Sequence, residues 1–245
     1  MPDERRVAII TGGASGIGLA TAGILAREGY HLVLCDRAGA EEAALGFDAQ
    51  AEGIALDVGD VAAVKRVMAD VVKRHGTIAA LVACAGISGR GAPLAAIDEA
   101  AFDAMMNIHV RGHFFMIQAL LGALRAGSAI VLVSSTYARV GHVGMAHYAA
   151  AKGALLALAK SLAAELGPAG VRVNAVTPGL VRTPMTERSA VLAPNLFADM
   201  VNHTPLRRLA TPAEIAATIA YLLSPAASAL TGQALSPSTG FVMAD

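Results

Sequence analysis

A phenol and an ammonium four residues apart, Tyr148 and Lys152 in the stretch YAAAK, carry the chemistry that this chain suggests first. On an α-helix, positions i and i+4 lie on one face about one turn apart, so the two groups point the same way. A phenol with a reference pKa of about 10 is a poor base near neutrality, but a nearby cation favours its phenolate. A shift of three units corresponds to roughly 4 kcal/mol, within reach of a site shielded from water. Such a pair can move a proton to or from a carbinol or carbonyl oxygen, with Tyr148 as general acid/base. A hydroxyl ahead of the pair, Ser135 or its neighbour Ser134, ends an apolar run, where it can hold the reacting oxygen as its charge changes.

A second group of residues points to a reagent. The stretch TGGASGIG, Thr11 to Gly18, joins an apolar run to a helical pattern. Gly12, Gly16 and Gly18 permit a tight turn, close approach of backbone to a pyrophosphate and close packing of helix on strand. The helix N-terminus offers N–H groups and a positive dipole end to phosphates. Asp36 closes the second apolar run about 20 residues on, where a carboxylate accepts hydrogen bonds from ribose hydroxyls. A carboxylate there also repels a 2′-phosphate, which favours NAD over NADP; Arg37 argues the other way, by pairing with that phosphate.

The elements that must position these groups are legible as an alternation. RVAIIT, HLVLCD, GIALDV, AALVACA, AIVLVSS and VRVNAVTP are near-continuous apolar runs, as strands covered on both faces must be. Between them lie helical patterns, among them residues 18–29, 62–76, 101–127 and 146–167, several followed by glycine. Alternation of this kind predicts an α/β fold: a doubly wound, Rossmann-type parallel sheet of about seven strands with helices on both faces. Without a Pro-, Gly- or Ser-rich linker or an internal repeat, residues 1–245 read as one domain. Its cofactor half would span about 1–134, its catalytic and substrate half about 135–245. In TPAEIAATIAYLL, Thr211 is placed to cap a helix, with Pro212 at its first position and Glu214 completing a capping box. The irregular stretch from Met185 to Leu209 mixes Pro and Asn with apolar residues and reads as a lid.

The glycine spacing, the Tyr-x-x-x-Lys pair and the serine together resemble the short-chain dehydrogenase/reductase superfamily in its compact form, over essentially the whole chain. By that resemblance the cofactor turn contributes Gly12, Ser15, Gly16, Ile17 and Gly18, and Asp57 and Val58 lie on the adenine side. Ala85 and Gly86 approach the cofactor, Pro178 and Gly179 form the nicotinamide-side turn, and Val181 and Thr183 follow it. Asn107, Ser135, Tyr148 and Lys152 match the catalytic residues. Ser135 is preferred to Ser134 because its offset of thirteen residues from Tyr148 is the family's usual one. The resemblance implies hydride transfer between an alcohol or ketone and a nicotinamide cofactor, whose oxidised charge would also favour the phenolate. It further implies that Lys152 binds the nicotinamide ribose, that Asn107 holds a water linking Lys152 to solvent, and that the chain forms a homodimer or homotetramer. Two departures stand out: Ala83-Cys84-Ala85-Gly86 replaces Asn-Asn-Ala-Gly, and Ser238-Thr239-Gly240 replaces Asp-Gly-Gly near the C-terminus.

Composition bounds the alternatives. Apolar residues make up 55% and charged residues 16%, so a large core is expected and disorder is not. With 19 basic and 19 acidic side chains the net charge is zero, unlike the basic footprint of a nucleic-acid binder. The first residues do not read as a secretory signal and the uncharged stretch from Ile215 is interrupted by Ser, Pro and Gly, so a soluble cytoplasmic protein is expected. Cys35 and Cys84 fall on strands flanking the first one, too far apart for a disulfide. His109 and His113 share the i, i+4 spacing of metal ligands, but no third ligand accompanies them, and no metal is expected there. His142 and His147 flank the approach to Tyr148. The walls expected around the site, residues 87–94, 137–147 and the lid, are mostly apolar, which suits an uncharged alcohol, diol, sugar or cyclic ketone. The greasy surface of the helices around residues 113–124 and 149–166 suggests a subunit interface. A non-redox enzyme of this fold and a cofactor-sensing scaffold are the rivals.

Overall fold

The computed structural model describes residues 6–88, 91–187, 198–199 and 201–243. Seven parallel strands form one sheet: β1 (Val7–Thr11), β2 (His31–Asp36), β3 (Ala51–Ala55), β4 (Ala80–Ala83), β5 (Ala129–Val133), β6 (Arg172–Val176) and β7 (Ala234–Leu235). Their spatial order is β3-β2-β1-β4-β5-β6-β7, so the chain reverses its direction of winding between β1 and β4. Thr11, the last residue of β1, stands level with Cys35 of β2 and Ala83 of β4. A crevice opens beyond the carboxyl ends of the strands at such a switch point, where ligands bind in open α/β sheets.

Eight α-helices lying wholly within the described residues accompany the sheet: α1 (Gly16–Arg27), α2 (Ala40–Leu45), α3 (Val61–His75), α4 (Glu99–Met106), α5 (His113–Leu120), α6 (Tyr137–Val140), α7 (Ala146–Leu166) and α8 (Pro212–Leu223). Because every central strand must be apolar on both faces, the core divides in two. On one face Ile9, Val33, Leu81, Ile130 and Val173 meet Met68, Met116, Leu120 and Leu155 of α3, α5 and α7. On the other, Ile10, Leu32, Val82 and Val131 meet Leu25 of α1 and Ile215 and Ile219 of α8. The expected cap of α8 is present: Thr211 Oγ1 accepts from Glu214 N, and the Glu214 carboxylate accepts from Thr211 N at 2.8 Å.

Two elements differ from the sequence reading. β3 begins at Ala51 and ends at Ala55, so Asp57 and Val58 belong to the loop that follows rather than to a strand at residues 53–58. As an edge strand, β3 carries Glu52 and lacks the fully apolar run that marks its neighbours. The helix expected over 101–127 is also interrupted, because Asn107–Gly112 winds as a π-helical turn between α4 and α5. Gly112 there approaches the loop after β3 so closely that a Cβ would lie 2.4 Å from the Val58 carbonyl oxygen. No described helix is long and apolar enough to cross a membrane.

Candidate active site

The glycine turn is built for backbone proximity. Gly12 has φ +65°, and a Cβ on it would lie 3.0 Å from backbone atoms of Ala85; one on Gly18 would lie 2.1 Å from the Gly12 carbonyl oxygen. Ser15 precedes α1 without a side-chain cap, which leaves the first N–H groups of that helix uncapped, and Ser15, Gly16 and Ile17 line the crevice. Three side chains fasten the neighbourhood. Asp36 Oδ2 accepts from Ala14 N at 3.1 Å, tying the end of β2 to the turn. Thr11 Oγ1 accepts from Cys84 N and Ala85 N, both at 3.0 Å, tying the end of β4 to β1. Asp57 Oδ1 accepts from Gly59 N at 2.8 Å.

A cleft of about 750 Å³ follows, large enough for a dinucleotide-sized ligand. Its walls include Gly12, Ser15, Gly16, Ile17, Asp36, Asp57, Val58, Ala85 and Gly86 at one end, and Ser135, Tyr148, Lys152, Pro178, Gly179, Val181 and Thr183 at the other. Gly18 supports the turn from below. Asn107 is turned away: its amide donates to Gly59 O at 3.2 Å and its Oδ1 accepts from Arg111 at 3.2 Å.

The residues expected to move the proton converge on the end of β5. Lys152 Nζ donates to Val133 O at 2.8 Å, and Ser134 Oγ donates to the Lys152 carbonyl at 2.7 Å. Ser134 therefore anchors the backbone of α7, while Ser135, two residues beyond β5, hydrogen-bonds the Tyr148 phenol. Tyr148 and Lys152 do share a face, with Nζ 5.7 Å from the phenol ring centroid.

The expected lowering of the phenol pKa is not what this geometry produces. Burial pushes Tyr148 up to about 12, the Ser135 hydrogen bond lowers it in part, and Tyr137 and Cys84 raise it further. Burial pushes Lys152 down to about 8, partly offset by Cys84. The physical reason is that the ammonium is spent on the Val133 carbonyl while the phenol is withdrawn from water, which outweighs the Ser135 hydrogen bond.

Residues beyond the expected set complete the enclosure. His109 is buried, lies edge-on to Tyr148 with ring centroids 5.6 Å apart, and donates from Nε2 to Ile87 O at 2.8 Å. Burial and then the charge of Lys152 hold its imidazole down to about 2, so it stays neutral. Gly86 must be glycine here, since a Cβ would sit 2.4 Å from His109 Cε1. His113 donates from Nδ1 to His109 O at 2.9 Å and lies 3.4 Å from Thr11 Oγ1, and burial lowers it to about 4. The two imidazoles thus serve different partners instead of one metal. Their i, i+4 spacing is the only signal in the sequence, and the pairing of His109 with a residue more than twenty positions away is not readable from it. With Ala83 and Cys84 in place of two amides, the Thr11 hydroxyl and the His109 imidazole hold the loop after β4. His142 stacks on Tyr137 with centroids 4.5 Å apart, and Tyr137 lies edge-on to Tyr148. Cys35 and Cys84 are both free thiols, raised by burial to about 12 and about 11. Of the stretch from Met185 to Leu209 read as a lid, residues 188–197 and 200 lie outside the described residues, as do residues 89 and 90 of the expected pocket wall.

Comparison with known proteins gives this cleft a lineage. A family model described as enoyl-(acyl carrier protein) reductase matches residues 12–242. A 3-oxoacyl-[acyl-carrier-protein] reductase of Thermotoga maritima is 34% identical, the match covering 98% of this chain and 99% of that one. A cis-4-hydroxycyclohexanecarboxylate dehydrogenase of Sinomonas cyclohexanicum is 40% identical, with 96% of each chain covered. The crystal structure of an actinorhodin polyketide ketoreductase with NADPH superposes with a TM-score of 0.90 at 32% identity, covering 97% of each chain. Fold, cleft and matches over nearly the full length agree: the chain belongs to the short-chain dehydrogenase/reductase family of oxidoreductases.

Proposed function

We propose that this protein is an NAD-dependent dehydrogenase that exchanges hydride between a secondary alcohol, of the diol, sugar or cyclic type, and nicotinamide. The observation that carries the reading is the convergence of Tyr148, Ser135 and Lys152 at one end of a cleft whose other end is the glycine turn and Asp36. The residues suit a dinucleotide: the uncapped start of α1 and the bare backbone of Gly12 and Gly16 would cradle the pyrophosphate, and Asp36 the adenosine ribose. Asp57 and Val58 would flank the adenine, and Ala85, Gly86, Pro178, Gly179, Val181 and Thr183 the nicotinamide end. The bound nicotinamide supplies the hydride acceptor or donor.

The chain's own residues manage the proton. Ser135 orients the substrate oxygen and the phenol together, since its hydroxyl already meets Tyr148. With its pKa raised, Tyr148 holds its proton firmly in the cofactor-free protein and acts as the general acid for ketone reduction. For alcohol oxidation it must become a base, and that step needs extra positive charge beside the ring. Lys152, with Nζ 5.7 Å from the ring centroid, would supply part of it and would also hold the nicotinamide ribose, and the oxidised nicotinamide would supply the rest. Residues up to about 134 would then form the cofactor half and later ones the catalytic and substrate half, with Lys152, Pro178, Gly179, Val181 and Thr183 of the second half reaching the nicotinamide end.

Asp36 supports NAD, because a second anion beside it would be repelled. An NADP-preferring ketone reductase is the second reading, favoured by Arg37 in the cleft wall and by the NADPH in the related ketoreductase. A cyclic alcohol is in keeping with the Sinomonas relative. Exposed Phe102, Phe114 and Leu121 on and beside α4 and α5 support assembly as a homodimer or homotetramer, and free cysteines suit the cytoplasm. The test is Tyr148→Phe, followed by nicotinamide absorbance over a panel of alcohols and ketones. Turnover should fall by at least about 100-fold while cofactor still binds. Undiminished turnover in that variant would overturn the reading.

A further inference from the structure

Away from the cleft, three side chains with metal-ligating atoms meet from three elements. His31 is the first residue of β2, Glu52 lies in β3 beside it, and His75 is the last residue of α3. One ligating atom from each falls within 4.8 Å of the others. Glu52 Oε1 accepts from His75 Nε2 at 2.8 Å, and the His31 and His75 rings have centroids 4.9 Å apart with planes tilted by 38°.

We propose that His31, Glu52 and His75 form a binding site for a divalent transition-metal ion of the Zn²⁺ class, with water in the fourth position. Two imidazoles and a carboxylate are a donor set used for zinc with one open position. Two imidazoles on one tetrahedral ion, bound at 2.0–2.1 Å, hold their ring centroids roughly 5 Å apart, the separation found here. Ligand atoms around such an ion lie about 3.4 Å apart, so closing the site from its present spread takes shifts of about an ångström. His31 is buried on a strand and Glu52 is fixed on its neighbour, which leaves the helix-end His75 as the group that moves. Arg74 holds the second Glu52 oxygen, orienting the carboxylate as outer hydrogen bonds do for metal-bound carboxylates. On binding, the ion takes the place of the proton between His75 and Glu52, and His75 ligates through Nε2 as the neutral imidazole with its ring proton on Nδ1.

The site lies at the opposite end of β2 from Asp36, roughly 16 Å away along the strand. Its role is therefore a staple between the sheet edge and α3, independent of the reading of the cleft. The experiment uses the full chain, stripped with chelator and titrated with Zn²⁺ alone by calorimetry and thermal melting, with Cu²⁺ for electron paramagnetic resonance. One ion per chain, a melting temperature that rises with Zn²⁺ concentration and imidazole nitrogen couplings on Cu²⁺ are expected. His75→Ala and Glu52→Gln should each weaken binding by about tenfold or more, whereas His203→Ala, an exposed imidazole elsewhere, should not. Absence of saturable binding, or binding that survives both changes, overturns the site and leaves an ordinary His75–Glu52 hydrogen bond. Glu52→Gln keeps the side chain's shape, so it remains informative if His75→Ala folds poorly.

Discussion

Replacing Gly86 by alanine should report on how tightly the loop after β4 is fitted to Tyr148. The new methyl would stand 2.4 Å from His109 Cε1 and 2.9 Å from its Nδ1, where carbon atoms normally sit about 3.5–4.0 Å apart. His109 cannot yield freely. Moving it breaks the 2.8 Å hydrogen bond to Ile87 O and disturbs the edge contact with Tyr148. Overpacking of about 1–3 kcal/mol and a lost hydrogen bond of about 0.5–1.5 kcal/mol put the cost near 2–4 kcal/mol. His109→Ala removes the obstruction at its own expense, leaving a cavity that the methyl introduced by Gly86→Ala partly fills. The two changes should therefore couple favourably by about 1–3 kcal/mol in a double-mutant cycle, measured by urea unfolding of the cofactor-free proteins. Turnover of Gly86→Ala should fall as well, because Tyr148 loses its flank. If the two single effects add to within about 0.5 kcal/mol, the imidazole does not brace the loop and the reasoning is wrong.

Two further outcomes follow from groups in the cleft. Lys152 ordinarily titrates at 10.5 but at about 8 when folded, so between those values the unfolded chain binds the extra proton and stability rises with pH. Cys35 and Cys84, held above their ordinary 9.0, act in the opposite sense from about pH 9. The Lys152 contribution, up to roughly 3 kcal/mol from about pH 8 to about pH 10, should therefore appear in urea unfolding of the cofactor-free proteins as the difference between wild type and Lys152→Met; an identical slope in both would refute it. Asp36→Ala should raise the KM for NAD about tenfold, through loss of a charged hydrogen-bond acceptor, and improve the relative use of NADP. An unchanged NAD-to-NADP preference would remove Asp36 from the ribose position.

Much of this arrangement can be read in advance, and the failures are informative. Interior strands betray themselves because both faces are covered, which forces continuous apolar runs such as Val7–Thr11 and Ala129–Val133. Edge strands have no such obligation, so the apolar pattern places β3 two residues too late and the two-residue β7 leaves no pattern at all. The helix through residue 107 reads as continuous because a π-helical turn costs no polar residue, only closer packing at Gly112. Helical spacing suffices to put Tyr148 and Lys152 on one face. It does not tell where the ammonium points, because the competing Val133 carbonyl comes from another element. The bracing by His109 and the cluster at His31, Glu52 and His75 arise from long-range contacts, which no local period records.

The bond from Ser134 to the Lys152 carbonyl and that from Lys152 to Val133 bolt the first turns of α7 to the tip of β5. Residues 138–145 run between those two supports, and Val143 there is almost wholly bare, whereas Tyr137 just before them donates its N–H to Ser135 Oγ at 3.2 Å and meets Tyr148 edge-on. Changes confined to residues 138–145 can accordingly be made without cutting either bolt.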